Sequence, residues 1–162
     1  MLDCRPDFSQ CLIKIPERFH QVPYNHDRYP GAPGVRGLIG GANCQQYAYE
    51  FLREFGYTIP DFRSSDLWED TQHTVVSELP EAFDLILVHD NPDPWGAHVG
   101  VCLGNGAILH LSQKIGVPAI ERIEALTERP QYRYLIGFKR VLFKSAQGLR
   151  CFLANFKVFW IP

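Results

Sequence analysis

Three residues of this 162-residue chain have the types that nucleophilic chemistry needs: Cys44, His98 and His110. A thiol attacks an acyl carbon, and an imidazole takes its proton and later protonates the leaving amine. A third polar group holds that imidazole in the useful tautomer. Cys44 lies in Gly40-Gly41-Ala42-Asn43-Cys44-Gln45-Gln46-Tyr47. Tyr47, Ala48, Phe51, Leu52 and Phe55 then recur at three- and four-residue steps, the single apolar stripe of an amphipathic helix. Asn43 is a strong N-cap, and Gly56 and Pro60 close the pattern. The spacing therefore predicts a helix from about 44 to 55 with Cys44 at its first position. Free N–H groups and the positive end of the helix dipole favour a thiolate there. On this stretch alone, a small buried cysteine at a helix start fits equally well.

The histidines belong to a predicted hairpin, 97–103 and 107–112, around Gly104-Asn105-Gly106. A two-residue loop would pair Gly104 with Ala107 and send His98 and His110 to opposite faces. A three-residue loop would pair Leu103 with Ala107 and set His110 opposite Gly100, so that both histidines share a face. Val99, Val101 and Leu103 form an apolar face, which favours the second register and leaves the other face to His98 and Gly100. That other face is expected to meet the start of the helix. Cys102 shares it but lies four residues from His98, too far along a strand to pair with it. His20, His26, His73 and His89 fall in loops and read as ordinary histidines. Zinc held by Cys44, His98 and His110 suits the ligand types, but no CxxC or HxxxH spacing supports it, so no metal is expected.

These residues need a frame, and the pattern along the chain describes an α+β domain over 1–162. Residues 1–22 read as an irregular extension broken by Pro6 and Pro16, wrapping the outside. Residues 23–41 are a long Gly/Pro-rich loop leading into Cys44 and forming a wall of the site. Residues 57–82 are mixed and polar, with Trp68 as an anchor and a short helix near 64–70. A central strand is expected over 83–88, a loop over 89–96, and further strands over 118–123 and 134–142. Residues 150–160 would add an edge strand or dock on the sheet. The family-like core described below spans 23–125, with C-terminal strands in 126–162.

Composition narrows the class. With 46% hydrophobic and 21% charged residues the chain reads as a soluble globular domain. A formal net charge of −2 without a basic block argues against nucleic acid as a partner. No apolar run reaches the length of a membrane span. The five cysteines, 4, 11, 44, 102 and 151, form an odd set, and the first twenty residues lack a secretory signal. Reduced thiols and a cytoplasmic setting are expected, with non-classical export left open. A Cys4–Cys11 bridge has only proximity behind it. No cofactor is expected, and oligomeric state is not legible.

The chain resembles the NlpC/P60 superfamily of papain-like cysteine peptidases and amidases, which cut bacterial cell-wall peptides. The family's Asp-Cys-Ser-Gly motif matches Asn43-Cys44-Gln45-Gln46 in part, and its Gly-Asp-Leu strand start matches Phe83-Asp84-Leu85. Its His-Val-Gly-Ile-Tyr-Leu-Gly-Asn-Gly segment matches His98 through Gly106 closely, and its third polar residue falls on His110. The resemblance implies a helix carrying the cysteine packed on an antiparallel sheet. It also implies Cys44-His98-His110 catalysis on an amide bond in a peptide or muropeptide. Tyr24 of Pro23-Tyr24, Asn43, Gln45 and Ser65 are its implied substrate-binding positions. An acid and a serine that flank the family's cysteine and bind a free N-terminal amine are here Asn43 and Gln45. The family's Arg-Asp-Ser is Arg63-Ser64-Ser65, with Asp66 the nearest substitute acid. Alternatives are an amidase, deamidase or acyltransferase acting on a non-peptidoglycan substrate, or a catalytically weak binding module.

Overall fold

The structure, a computed structural model, describes residues 13–145. Helix α1 runs Cys44–Glu54, and Asn43 caps it: its side-chain oxygen accepts the Gln46 N–H at 2.8 Å. The stripe of Tyr47, Ala48, Phe51 and Leu52 is fully buried. It packs on a six-stranded antiparallel sheet of β1 (Thr74–Ser77), β2 (Leu85–His89), β3 (His98–Gly104), β4 (Ala107–Leu111), β5 (Pro118–Arg122) and β6 (Tyr134–Val141). The spatial order is β1-β6-β2-β3-β4-β5, so β6 enters between two earlier strands. Two short helices, α2 (Ser64–Glu69) and α3 (Ile123–Thr127), and 3-10 turns at Glu17–Phe19 and Pro130–Tyr132 complete the elements. No helix among the described residues is long and apolar enough to cross a membrane.

The two faces of the sheet are covered differently. Leu85, Leu87, Val99, Val101, Leu103, Leu109 and Leu111 join the helix α1 residues in one core. Ile86, Val88, Cys102, Ile108 and Phe138 form a second core on the opposite face, closed by Leu126 and Tyr132. Strand parity puts His98 and Gly100 on this second face. The expectation that their face meets helix α1 is therefore corrected. The helix covers the more apolar Val99-Val101-Leu103 face, where its own stripe buries more surface. The α3 segment and the turn after it cover the histidines.

The β3–β4 hairpin combines the two registers considered from sequence. Gly104 pairs with Ala107 across a two-residue turn, with Asn105 at φ 51° and Gly106 at φ 73°. Both central residues have positive φ, the turn that suits strand twist. A bulge between Cys102 and Gly104 then shifts the ladder, so that Cys102 faces Ile108 and Val101 faces Leu109. The extra residue restores the register that sets Gly100 beside His110.

The residues before the helix are not merely an outer wrap. Phe19 is fully buried, its ring edge-on to Tyr47 and Phe51, and the Tyr47 hydroxyl donates to the Phe19 carbonyl at 2.8 Å. Strand β1 and helix α3 had no counterpart among the expected elements. Each is short, and β1 is an edge strand with mixed burial. The expected strand at 150–160 and the Cys4–Cys11 pairing lie outside the described residues.

Candidate active site

The Gly/Pro-rich loop meets the helix start through backbone pairing. The Ala42 N–H donates to the Pro23 carbonyl at 3.1 Å, the Asn25 N–H to Ala42 at 2.9 Å, and the Asn43 N–H to Arg28 at 2.8 Å. Gly41 makes this approach possible: at φ 95°, a β-carbon there would collide with the Pro23 carbonyl oxygen. Tyr24 is thus bridged to Ala42, two residues before Cys44. Burial, and then the negative charge that Cys44 carries once ionised, hold the Tyr24 hydroxyl above its usual range.

Cys44 is half-buried at the first turn of α1. Its sulfur receives the backbone N–H groups of Val99, the residue after His98, and of Gln45. The helix start and the start of β3 therefore converge on one sulfur. Burial pushes the thiol above its ordinary range, outweighing those N–H groups and the Arg63 cation, which pull it down. This corrects the expected thiolate. The dipole and the free N–H groups are present, but the loss of solvent around the sulfur disfavours the anion more.

His98 is buried, and its Nε2 lies 2.9 Å from Nδ1 of His110, which is fully buried. The two rings meet edge-on at 5.1 Å between centroids. Burial, then His110 and Arg129, hold the His98 imidazole well below its ordinary value, so it rests neutral. Both groups are thus disfavoured in their charged forms, the Cys44 thiol and the His98 imidazole each chiefly by burial. Because His98 Nε2 and His110 Nδ1 face each other, their lone pairs do not converge on a common point. Among the described residues no group of three His, Cys, Asp or Glu is placed to hold a metal ion.

Four functional candidates were missed from sequence. The His110 Nε2–H donates to the Glu121 carboxylate at 3.1 Å, and Arg129 donates to the other oxygen of that carboxylate. The hydrogen bond from His110, countered by burial and aided by Arg129, holds Glu121 below the usual carboxylate range, so it is ionised. The Tyr132 ring stacks on His98 with centroids 4.5 Å apart and planes 22° from parallel. Burial, and then the negative charge that Cys44 carries once ionised, push its hydroxyl up to about 12. Arg63 supplies the nearby positive charge, with its guanidinium 4.4 Å from the centre of the Tyr29 ring. Glu121 follows only once the β4–β5 register is known. In β5 it lies two residues from Ala119, the partner of His110, and so on the same face.

The implied substrate-binding residues are not all available to a substrate. Asn43 is buried, and its oxygen is committed to the helix cap. Gln45 is buried and donates to the Phe62 carbonyl at 3.3 Å, a carbonyl that also accepts the Tyr49 hydroxyl at 3.1 Å. Both side chains brace the site from behind, and Gln45 and Tyr49 pin the chain just before Arg63. Ser65 lies half-buried in the first turn of α2. The Asp66 carboxylate accepts the Arg63 N–H at 3.3 Å, capping that helix. The Tyr24 side chain lies within the electrostatic reach of the sulfur, as do Tyr132 and Arg63.

The sequence matches no family model and no curated protein. Solved structures do match. The NlpC/p60 domain of the peptidoglycan hydrolase SagA superposes with a TM-score of 0.50 at 17% identity, over 78% of this chain and 91% of that domain. The P60 domain of antigen MAP1204 from M. avium subspecies paratuberculosis gives 0.49 at 22% identity, over 78% and 89%. The chain has the α+β fold of NlpC/P60 domains: an antiparallel sheet with the cysteine-bearing helix packed on one face.

Proposed function

We propose that this protein is a cysteine hydrolase of the NlpC/P60 kind that cleaves an amide bond in a cell-wall-type peptide. The observation that carries the reading is the buried His98–His110 hydrogen bond, with the Cys44 sulfur at a helix start and against the N–H of Val99, the residue after His98. Cys44 Sγ attacks the carbonyl carbon as its proton passes to His98. The developing oxyanion is met by N–H groups at the helix start and by the Tyr24 hydroxyl. The C–N bond then breaks, His98 protonates the leaving amine, and a thioester remains. Water attacks the thioester, giving one proton to His98. The C–S bond breaks, the acid is released, and that proton restores the thiol.

The test is incubation with a panel of muropeptides, with mass spectrometry of the products, for the wild type and Cys44→Ala. Cleavage by the wild type alone supports the reading, and absence of cleavage across the panel sinks it. One observation favours a second reading, an amidase acting on a non-peptidoglycan substrate. Asn43 and Gln45 are committed within the protein, and the charge near the nucleophile is the Arg63 cation. A substrate recognised through a free amine fits that charge poorly.

A further inference from the structure

We propose that Glu121 is a positioning residue that fixes the direction of the hydrogen-bond chain through both histidines and so leaves His98 able to accept a proton from Cys44. The inference rests on the reading of Cys44 as nucleophile and His98 as base. Two neutral imidazoles in contact can share their hydrogen bond in either direction, and nothing within the pair selects one. An ionised carboxylate selects, because it only accepts. Glu121 accepts from His110 Nε2, so that nitrogen carries the hydrogen. A neutral imidazole has one N–H, so His110 Nδ1 presents a lone pair. His98 Nε2, 2.9 Å away, must then carry the other hydrogen. That leaves His98 Nδ1 bare, the state a base needs. The reverse direction would place the hydrogen on His98 Nδ1 and make it a donor.

Arg129 completes the device. Facing Glu121 are His110 from β4 and Arg129 from the segment after α3; facing His98 are His110 and Tyr132. With Arg129 on one carboxylate oxygen, the charge of Glu121 is already balanced. A doubly protonated His110 would donate from Nδ1 and reverse the chain.

The experiment has two arms. In the wild type, 15N NMR of the histidine rings reads the tautomers directly and does not depend on activity. The expected signature is Nε2–H on both His98 and His110. An Nδ1–H tautomer of His98, or a doubly protonated His110 at neutral pH, overturns the proposal even if the protein proves to be a hydrolase. In the second arm, the alkylation rate of Cys44 is followed against pH in the wild type, Glu121→Gln and Arg129→Gln, with folding checked by thermal unfolding. Glu121→Gln can offer an amide N–H to His110 and no longer enforces the direction. Its rate at neutral pH should fall more than about tenfold, approaching the loss of a general base. Arg129→Gln should move the loss of reactivity on acidification to higher pH. Folded variants with the wild-type rate and pH profile overturn the assignment to Glu121. If Cys44 reactivity is unchanged by His98→Ala, the reading of the base fails, and the NMR arm still judges the tautomers.

Discussion

The imidazole of His98 lies almost flat against the ring of Tyr132, 4.5 Å between centroids, so the segment after α3 forms one wall of the site. The Tyr132 hydroxyl is held by Ser112 at the end of β4. Tyr132→Ala should free the imidazole to turn and admit water. We expect a fall in kcat/KM of about 100-fold from lost positioning and a loss of about 3 kcal/mol in stability. The His98 pKa should rise, because burial is the chief cause of its depression. NMR titration of the ring reads that shift, and Tyr132→Phe should retain most activity.

Gly100 faces His110 across the hairpin. A β-carbon there would lie 2.8 Å from Ile108 Cγ2 and 3.2 Å from His110 Cβ. Gly100→Ala should cost about 1–3 kcal/mol through overpacking and should push His110 away from His98. Activity should fall further than the loss of folded protein explains. Equal losses of both would show that the His110 position tolerates the crowding.

Cys44 should be alkylated much faster than Cys102, whose thiol is buried and pushed up to about 12, chiefly by burial and then by Asp84. Because burial also raises the Cys44 thiol, its rate should still be climbing past the ordinary thiol value of about 8.5. Labelling mapped to the Cys44 peptide across pH tests this. A plateau reached already at acidic or neutral pH would reveal a thiolate–imidazolium pair instead.

Charge next to the nucleophile sets the expected specificity. Peptides with an acetylated amine should be cleaved at least as well as their free-amine forms, since the near charge is Arg63. Asn43→Asp is a poor way to restore an acid, because position 43 is buried in the helix cap. Arg63→Glu should shift kcat/KM toward the free-amine peptide, by about tenfold if one charge-assisted contact is gained. A wild-type preference for the free amine would refute the assignment.

Asp70 should make folding pH-dependent. Burial raises its pKa, but hydrogen bonds from His73 and Thr74 together outweigh that and lower it from 3.8 to about 2. A depressed acid stabilises above its unfolded value and loses that contribution as pH falls through its folded value. The structure should therefore lose about 2 kcal/mol between about pH 4 and pH 2. Denaturant unfolding of the wild type and Asp70→Asn over that range is the check, and the substitution should flatten this part of the curve.

Helix α1 was legible because a cap, a stripe and a stop agree locally. The β3–β4 hairpin was legible because Gly104-Asn105-Gly106 marks its turn and alternation marks its faces. Parity says which residues share a face but not which element covers it, so the histidines were assigned to the wrong neighbour. Tyr132 and Arg129 sit in or beside short turns without a period, and only the tertiary fold brings them to His98 and Glu121. Glu121 needed the β4–β5 register, which no turn signal specified. The thiol of Cys44 was misjudged because a helix start is visible in sequence and burial is not.

The place of β6 in the sheet has a consequence during synthesis. Strands β3, β4 and β5 are joined by short connections and can pair as they leave the ribosome. Strand β2 must wait for residues 134–141 to fill its other side. Until then the nascent chain carries an open edge strand, apolar from Leu85 to Val88, a template for unwanted pairing. Tyr132 is translated just ahead of β6, so the wall against His98 also arrives late. Translation order thus delays assembly of the site until most of the fold has been made.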